Sequence, residues 1–339
     1  MPTLYVIEQG AVLACDGERI EVRREDAVLG SIPLIKLDDI VVFGNVGLST
    51  PAIKRLLDRG IEVVFLTTDG RYHGRLVGEV TAHVALRQAQ YARAADAAWA
   101  LDQAQRFVAG KIRNQRAVLH RFTRNRSNPP AEAERAAAEL DYELQRVGRT
   151  TKINALMGLE GSATARYFRG FRALIGDEWQ FTSRQRRPPP DPINVLLSLG
   201  YTLLTHKAHG AVQAAGFDPY LGFLHQVEYN RPSLALDLIE EFRPILVDSL
   251  VLRVCGDGRV TTSDFSPGDA ARPVIFGDEG KRRFLSAFEE RMRTVATHPL
   301  GSDSGPGKVS YLRCIELQAR RLARAIREKE QPYEAFTAR

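Results

Sequence analysis

Over the first 80 residues, short apolar runs alternate with polar turn residues. Leu4–Ile7, Ala11–Ala14, Ile20–Val22 and Ile40–Phe43 have the composition of strands, and Gln9-Gly10, Asp16-Gly17 and Asp26 punctuate them. Pro51 to Gly60 reads as a short helix. Ser49 or Thr50 caps it, Pro51 sits in the first turn, where a missing N–H costs nothing, and Gly60 stops it. Ile61–Leu66 returns to strand, with Thr68-Asp69-Gly70 as a turn. Beyond Gly78 the periodicity changes. From about residue 84 to 126 the chain is rich in Ala, Gln, Arg and Leu at helical spacing, until Ser127-Asn-Pro-Pro130 ends it. Further helical stretches follow at roughly 131–147, 150–174, 192–215, 231–252, 281–297 and 309–329. Ser183 to Pro192 is too proline-rich for a helix, and 256–280 carries turn residues that suit a short hairpin or a mobile loop. There is no internal repeat. The pattern predicts an α+β fold, with a small β-rich N-terminal domain (1–80) followed by a larger all-α domain (81–335).

Composition narrows the class. A chain of 339 residues with 44% hydrophobic and 26% charged residues is ordinary for a globular protein with a sizeable core. The formal net charge is +6, and arginine far outnumbers lysine, which favours bidentate phosphate contacts. Nucleic acid is the expected partner of such a surface. Cys15, Cys255 and Cys314 are far apart and form no CxxC, so neither a zinc site nor a disulfide framework is indicated. No signal-peptide pattern and no apolar stretch long enough to span a bilayer is visible, and the expectation is a soluble cytoplasmic protein without a membrane partner.

Three acids and a histidine carry the candidate chemistry. In Arg231 to Pro244 (RPSLALDLIEEFRP), Asp237 and Glu240 are three apart and share a helix face. The rest of that segment is apolar, which places the acids near the interior, where unpaired carboxylates are costly. A divalent cation would offset that cost, with His225, twelve residues before Asp237, as a neutral co-ligand. Glu160 lies among Gly158, Gly161, Ser162 and Ala163, small residues that permit close helix packing or close approach of a substrate. Taken singly, Glu160 reads equally as a salt-bridged helix residue, His225 as a buried histidine, and Asp237 with Glu240 as a polar helix side. Their joint occurrence gives them weight. His206 and His209 are read as packing or DNA-facing residues. Gly305-Pro-Gly-Lys308 has the wrong spacing for a phosphate loop, and Val309 replaces its Ser/Thr, which excludes that class of ATPase. No GxSxG element occurs. On a helix over 101–126, Arg106, Arg113 and Arg124 fall nearly in line, flanked by Arg116 and Arg121, and such a stripe suits either a phosphate backbone or a solvated helix face. Arg186 and Arg187 form a second basic element, and Arg243 lies one turn beyond Glu240.

These residues resemble a known family, the CRISPR-associated spacer integrase Cas1, the metal-dependent endonuclease of CRISPR adaptation. The resemblance runs over nearly the whole chain. It is carried by Asn154-Ala-Leu-Met-Gly-Leu-Glu-Gly161, Arg187-Pro-Pro-Pro-Asp-Pro-Ile-Asn194 and Leu199-Gly-Tyr-Thr-Leu203. Its most specific part is Gly216-Phe-Asp-Pro-Tyr-Leu-Gly-Phe-Leu-His225 followed by Arg231 to Pro244. It implies a site holding Mg²⁺ or Mn²⁺ through Glu160, His225 and Glu240, with Asp237 as an additional acid one turn earlier. The last ligand is often Asp in the family, and Glu240 keeps the ligand type. The resemblance further implies that the N-terminal domain dimerises. Two such homodimers would flank a dimer of a small ferredoxin-like CRISPR-associated protein, giving a heterohexamer that holds a prespacer duplex. The implied reaction is attack of a prespacer 3′-OH on a phosphodiester of the CRISPR repeat, which needs no ATP. A non-catalytic basic DNA-binding scaffold and a general metal-dependent nuclease are the competing expectations.

Overall fold

A computed structural model describes residues 2–79, 83–124, 126–225, 228–302, 305–328 and 331–338. The N-terminal region forms β1 (Thr3–Val6), β2 (Val12–Asp16), β3 (Arg19–Arg24), β4 (Ala27–Pro33), β5 (Asp39–Phe43), β6 (Gly47–Leu48), α1 (Thr50–Asp58), β7 (Glu62–Leu66) and β8 (Tyr72–Leu76). They make two four-stranded sheets, ordered β1-β5-β7-β8 and β4-β3-β2-β6. β5 is buried along its whole length, which explains its unbroken apolar run. Its side chains alternate between two cores. Ile40 and Val42 join Leu13, Ile20 and Leu56 beneath the second sheet, whereas Val41 and Phe43 join Val64 and Leu66 in the core of the helical region. The α1 signals act as expected: Ser49 accepts from the Ala52 N–H at 3.3 Å, and Pro51 sits in the first turn.

The remainder comprises α2 (Val84–Ala95), α3 (Ala97–Thr123), α4 (Ala131–Val147), α5 (Ile153–Arg172), α6 (Pro192–Ala214), α7 (Ser233–Ile239), α8 (Ser249–Gly256), β9 (Phe265–Pro267), β10 (Val274–Phe276), α9 (Asp278–Arg293), β11 (Val295–Ser302), β12 (Gly305–Ser310) and α10 (Tyr311–Arg327). A β-rich N-terminal region thus precedes a mostly helical one, as the sequence pattern predicts, with three departures. The helix expected over 84–126 breaks at Asp96, which caps α3 by accepting from the N–H groups of Ala98 and Trp99 at 3.1 Å each. The helix expected over 231–252 is α7, a break, a π-helical stretch at Arg243–Asp248 and then α8. Pro244 has no N–H to donate, and its ring crowds the carbonyl four residues back, which is that of Glu240. The helical region is also not all-α. The 256–280 segment holds the β9–β10 hairpin, and α9 ends at Arg293, where β-branched Val295 and Thr297 enter the β11–β12 hairpin.

α3 runs through the middle of the helical region against α4 and α5, with Phe107, Val108, Ile112 and Leu119 fully or nearly buried. α6 joins the regions. His206 Nε2 lies 2.9 Å from Asp39 Oδ2, and Lys207 Nζ donates to the same oxygen at 2.8 Å. His206 and His209 are both buried, in agreement with a packing role. Burial opposes ionisation of Asp39, but His206 and Lys207 prevail and hold its carboxyl well below the usual range. All three cysteines are free. Among the described residues, no helix is long and apolar enough to cross a membrane.

Candidate metal centre and nucleic-acid interface

Four elements bring the candidate residues together. α3 supplies Lys111, α5 supplies Glu160 and Thr164, the loop before α7 supplies His225, and α7 with the break and π-helical stretch after it supplies Asp237, Glu240 and Arg243. Glu160 Oε1 accepts from Lys111 Nζ and, at 3.0 Å, from the Thr164 hydroxyl. Lys111 Nζ also lies 2.6 Å from Glu240 Oε2, and Arg243 pairs with Glu240 Oε1 at 2.6 Å. Glu240 is 2% exposed. Its burial works against ionisation, yet the charges of Arg243 and Lys111 outweigh it and hold the carboxyl down to about 2. Burial likewise opposes the Lys111 charge, and the carboxylates of Glu240 and Glu160 overcome it, raising the amine above its ordinary value.

Asp237 plays a different part. Its Oδ2 accepts from the N–H groups of Phe223 and Leu224 at 2.6 and 3.0 Å. Its Oδ1 accepts from the His225 N–H at 2.9 Å and from His225 Nδ1 at 2.7 Å. Fully buried and saturated by four donors, Asp237 shapes the loop and holds the imidazole, fixing the proton on Nδ1 and leaving the Nε2 lone pair for another partner. Gly222 makes this wrap possible, since a Cβ there would lie 2.7 Å from Asp237 Oδ2 and 2.9 Å from the Ser233 carbonyl carbon.

Among the described residues, no three Asp, Glu, His or Cys side chains already converge as a ligand set; the Lys111 ammonium stands between Glu160 and Glu240. The donor chemistry still fits a hard divalent cation with one imidazole. Two carboxylates face a shared cation position, Asp237 orients His225 as the outer partner of a metal-bound histidine does, and among the described residues the buried Glu240 Oε2 has an ion-pair partner but no well-directed hydrogen bond.

Arg243 connects this cluster to a basic cavity. Its guanidinium lies over the Tyr201 ring, 5.0 Å from the centroid, and Arg184 lies over the same ring at 5.4 Å. The Tyr201 hydroxyl donates to buried Asp248, whose carboxyl burial pushes up to about 6 against the Tyr201 hydrogen bond. The cavity, about 670 Å³, lies between the turn after β7, the segment before α6 and the β9–β10 hairpin. Arg71, Arg184, Arg186, Arg187, Arg243, Arg272 and Lys281 line it, against Asp69 and Asp278. The basic surface next to the acids is therefore here. On α3, Arg106 pairs with Asp102 at 2.8 Å and donates to the Tyr333 carbonyl at 3.0 Å, and Arg116 pairs with Asp141 at 3.1 Å. Arg113 and Arg124 remain exposed. Two of the five arginines of the expected stripe are thus committed to partners within the chain.

Sequence reasoning missed Lys111, Tyr201, Asp248 and Glu241. Glu241 is buried and accepts from Gln318 Nε2 at 2.9 Å, the Tyr333 hydroxyl at 2.8 Å and the Phe336 N–H at 3.0 Å, tying the C-terminal segment to the break after α7. Lys111 had one signal, a lysine at an apolar position of an amphipathic helix.

Comparison with known proteins places this arrangement in a family. The model of the family described as CRISPR associated protein Cas1 matches residues 4–290. A CRISPR-associated endonuclease Cas1 of Thermus thermophilus is 37% identical over 338 residues, covering 99% of this chain and 97% of that protein. A CRISPR-associated exonuclease Cas4/endonuclease Cas1 fusion of Geobacter sulfurreducens is 34% identical over 99% of this chain, and the match spans 60% of the fusion. Among solved structures, a casposase bound to integration product superposes with a TM-score of 0.86 at 23% identity, covering 98% of this chain and 93% of that one, and shares the fold. A Cas6-RT-Cas1–Cas2 complex superposes with a TM-score of 0.83 at 26% identity, over 99% of this chain and 36% of that one. With matched residues covering most of both its β-rich and its helical regions, the chain belongs to the Cas1 family.

Proposed function

We propose that this protein is a metal-dependent DNA integrase and endonuclease of CRISPR adaptation, which joins the 3′-OH ends of a prespacer duplex to the CRISPR repeat by transesterification. One observation carries the reading: Glu160 and Glu240 meet at Lys111, with the Asp237-held His225 close enough to Glu240 to act on it electrostatically, beside a cavity lined by arginines. Mg²⁺ or Mn²⁺ held by Glu160, His225 Nε2 and Glu240 would polarise a phosphodiester and lower the pKa of a hydroxyl. Asp237 keeps the His225 ring aimed through its Nδ1 contact. Arg243, fixed by Glu240 and Tyr201, presents positive charge where negative charge grows on a phosphorane-like transition state. Arg184, Arg186 and Arg187 hold the DNA backbone without reading bases. One phosphodiester breaks and one forms, so no nucleotide hydrolysis is required.

The apolar surface supports the assembly implied by the family. Val12, Val28, Leu29 and Ile35, all in the N-terminal region, are exposed, and a homodimer through that region would cover them. The structural neighbour described as a Cas1–Cas2 complex supports a second, small CRISPR-associated partner, which we take to be the ferredoxin-like protein of a heterohexamer.

The reading is tested by supplying a duplex with free 3′-OH ends and a plasmid bearing a CRISPR repeat, with the partner protein and Mn²⁺. Joined products that vanish with 3′-dideoxy ends are expected. Binding without products in any metal would instead favour the DNA-binding scaffold, and cleavage without joining would favour a general nuclease.

A further inference from the structure

We infer that Lys111 is a resident counter-cation of the ligand carboxylates, which a divalent metal must displace and which then becomes available to the DNA phosphate; the inference rests on the metal reading above. Glu160 and Glu240 come from different elements, α5 and the break after α7, and Lys111 on α3 touches both. Its side chain is 6% exposed, so the ammonium has little access to water. Arg243 neutralises Glu240 through the other oxygen, Oε1, whereas the oxygen of Glu160 that Lys111 touches has only the Thr164 hydroxyl besides. Like carboxylates drawn together without a cation between them would be strongly disfavoured.

Charge balance gives the arrangement its consequence. With His225 neutral, the carboxylates Glu160, Asp237 and Glu240 exceed the cations Lys111 and Arg243 by one negative charge. A divalent ion turns that into an excess of one positive charge, and a bound phosphodiester cancels it. A metal arriving alone therefore leaves the Lys111 ammonium buried without its carboxylate partners, which is costly. A phosphodiester relieves that cost, and the flexible four-carbon stem lets the ammonium turn toward it. Metal and DNA should thus strengthen each other's binding, with Lys111 as the coupling group.

The test is Mn²⁺ affinity, read from free Mn²⁺ by electron paramagnetic resonance, for the wild-type protein, Lys111→Met and Lys111→Arg, each with and without a duplex under non-reacting 3′-dideoxy ends. Wild-type and Lys111→Arg are expected to bind Mn²⁺ roughly five-fold or more tightly with DNA than without it. Lys111→Met is expected to bind tightly without DNA and to gain little from it. Its melting temperature should be lowered in chelator and should rise further with Mn²⁺ than that of the wild type. Should Lys111→Met not fold in chelator, Lys111→Gln is read in the same way. Wild-type binding with equal or weaker binding by the folded variant would overturn the inference alone. Absence of Mn²⁺ binding by every protein would overturn the metal reading and the inference with it.

Discussion

His225 Nδ1 lies 2.7 Å from Asp237 Oδ1, and the same carboxylate oxygen accepts from the His225 backbone N–H. The histidine is therefore held at both its ring and its main chain by one buried acid. Asp237 commits all its acceptor capacity to the loop it organises, which separates it from Glu240, whose oxygens pair with the Lys111 and Arg243 side chains.

Asp237→Asn replaces an acceptor by an NH₂ group that cannot take the Phe223 and Leu224 N–H bonds. Metal affinity and joining are expected to fall by roughly 10- to 100-fold while duplex binding persists. Gly222→Ala should act by the same route, since its methyl group meets both Asp237 and the Ser233 backbone. Calorimetric metal titration alongside a joining assay checks both, and wild-type metal affinity in Asp237→Asn would remove the orienting role.

Arg186→Ala and Arg187→Ala should weaken duplex binding uniformly across sequences and reduce the slope of log affinity against log salt by about one for each phosphate no longer neutralised. Arg106→Ala, whose guanidinium is committed to Asp102 and the Tyr333 carbonyl, should lower the melting temperature with the salt slope unchanged. A reversed pattern would return the DNA surface to α3.

The ion pairs of Glu240 have a pH signature. Its folded-state pKa is depressed to about 2, so the stability it contributes is fully present above the ordinary glutamate value and is lost as pH falls toward 2. Melting curves of the wild type and Glu240→Gln should differ by a constant amount above about pH 5 and converge below it. A difference independent of pH between 2 and 6 would contradict the ionised, paired state of Glu240.

The C-terminal segment packs beside the same cluster. Asn114, one turn from Lys111, donates to the carbonyls of Glu241 and Phe336 at 2.7 Å each, and the Ala338 N–H donates back to Asn114 at 2.9 Å. Gly110 admits the segment, because a Cβ there would lie 2.4 Å from that of Ala335. Gly110→Val should cost about 1–3 kcal/mol by overpacking, expose residues 331–338 to protease and impair joining through Lys111. Unchanged proteolysis would show that the segment is not held there.

Much of this was legible from local pattern. The strands around Ile40–Phe43, the capped helix at Pro51 and the helices over 131–147 and 192–215 follow from side-chain period and turn chemistry, which act within a few residues. Glu160, His225 and Glu240 stand out as candidates because the motifs that resemble the family contain them. What stayed hidden depends on contacts distant in sequence. Lys111 is 49 residues from Glu160, and nothing near it announces a carboxylate partner. Asp237 and Glu240 look equivalent on an ideal helix, and only the loop folded back onto Asp237 distinguishes them. The arginine stripe on α3 was real as spacing, but Asp102, Asp141 and the Tyr333 carbonyl take up two of its members. The β11–β12 hairpin was obscured because the helical signal of α9 runs directly into it.

Strand transfer by the three ligand variants tests the metal centre most directly, measured with saturating duplex and Mn²⁺ so that binding is not limiting. Glu160→Ala, His225→Ala and Glu240→Ala should each lose joined product by roughly 10³-fold or more while retaining duplex affinity. Wild-type joining by any one of them would exclude that residue from the metal centre and contradict the proposed site.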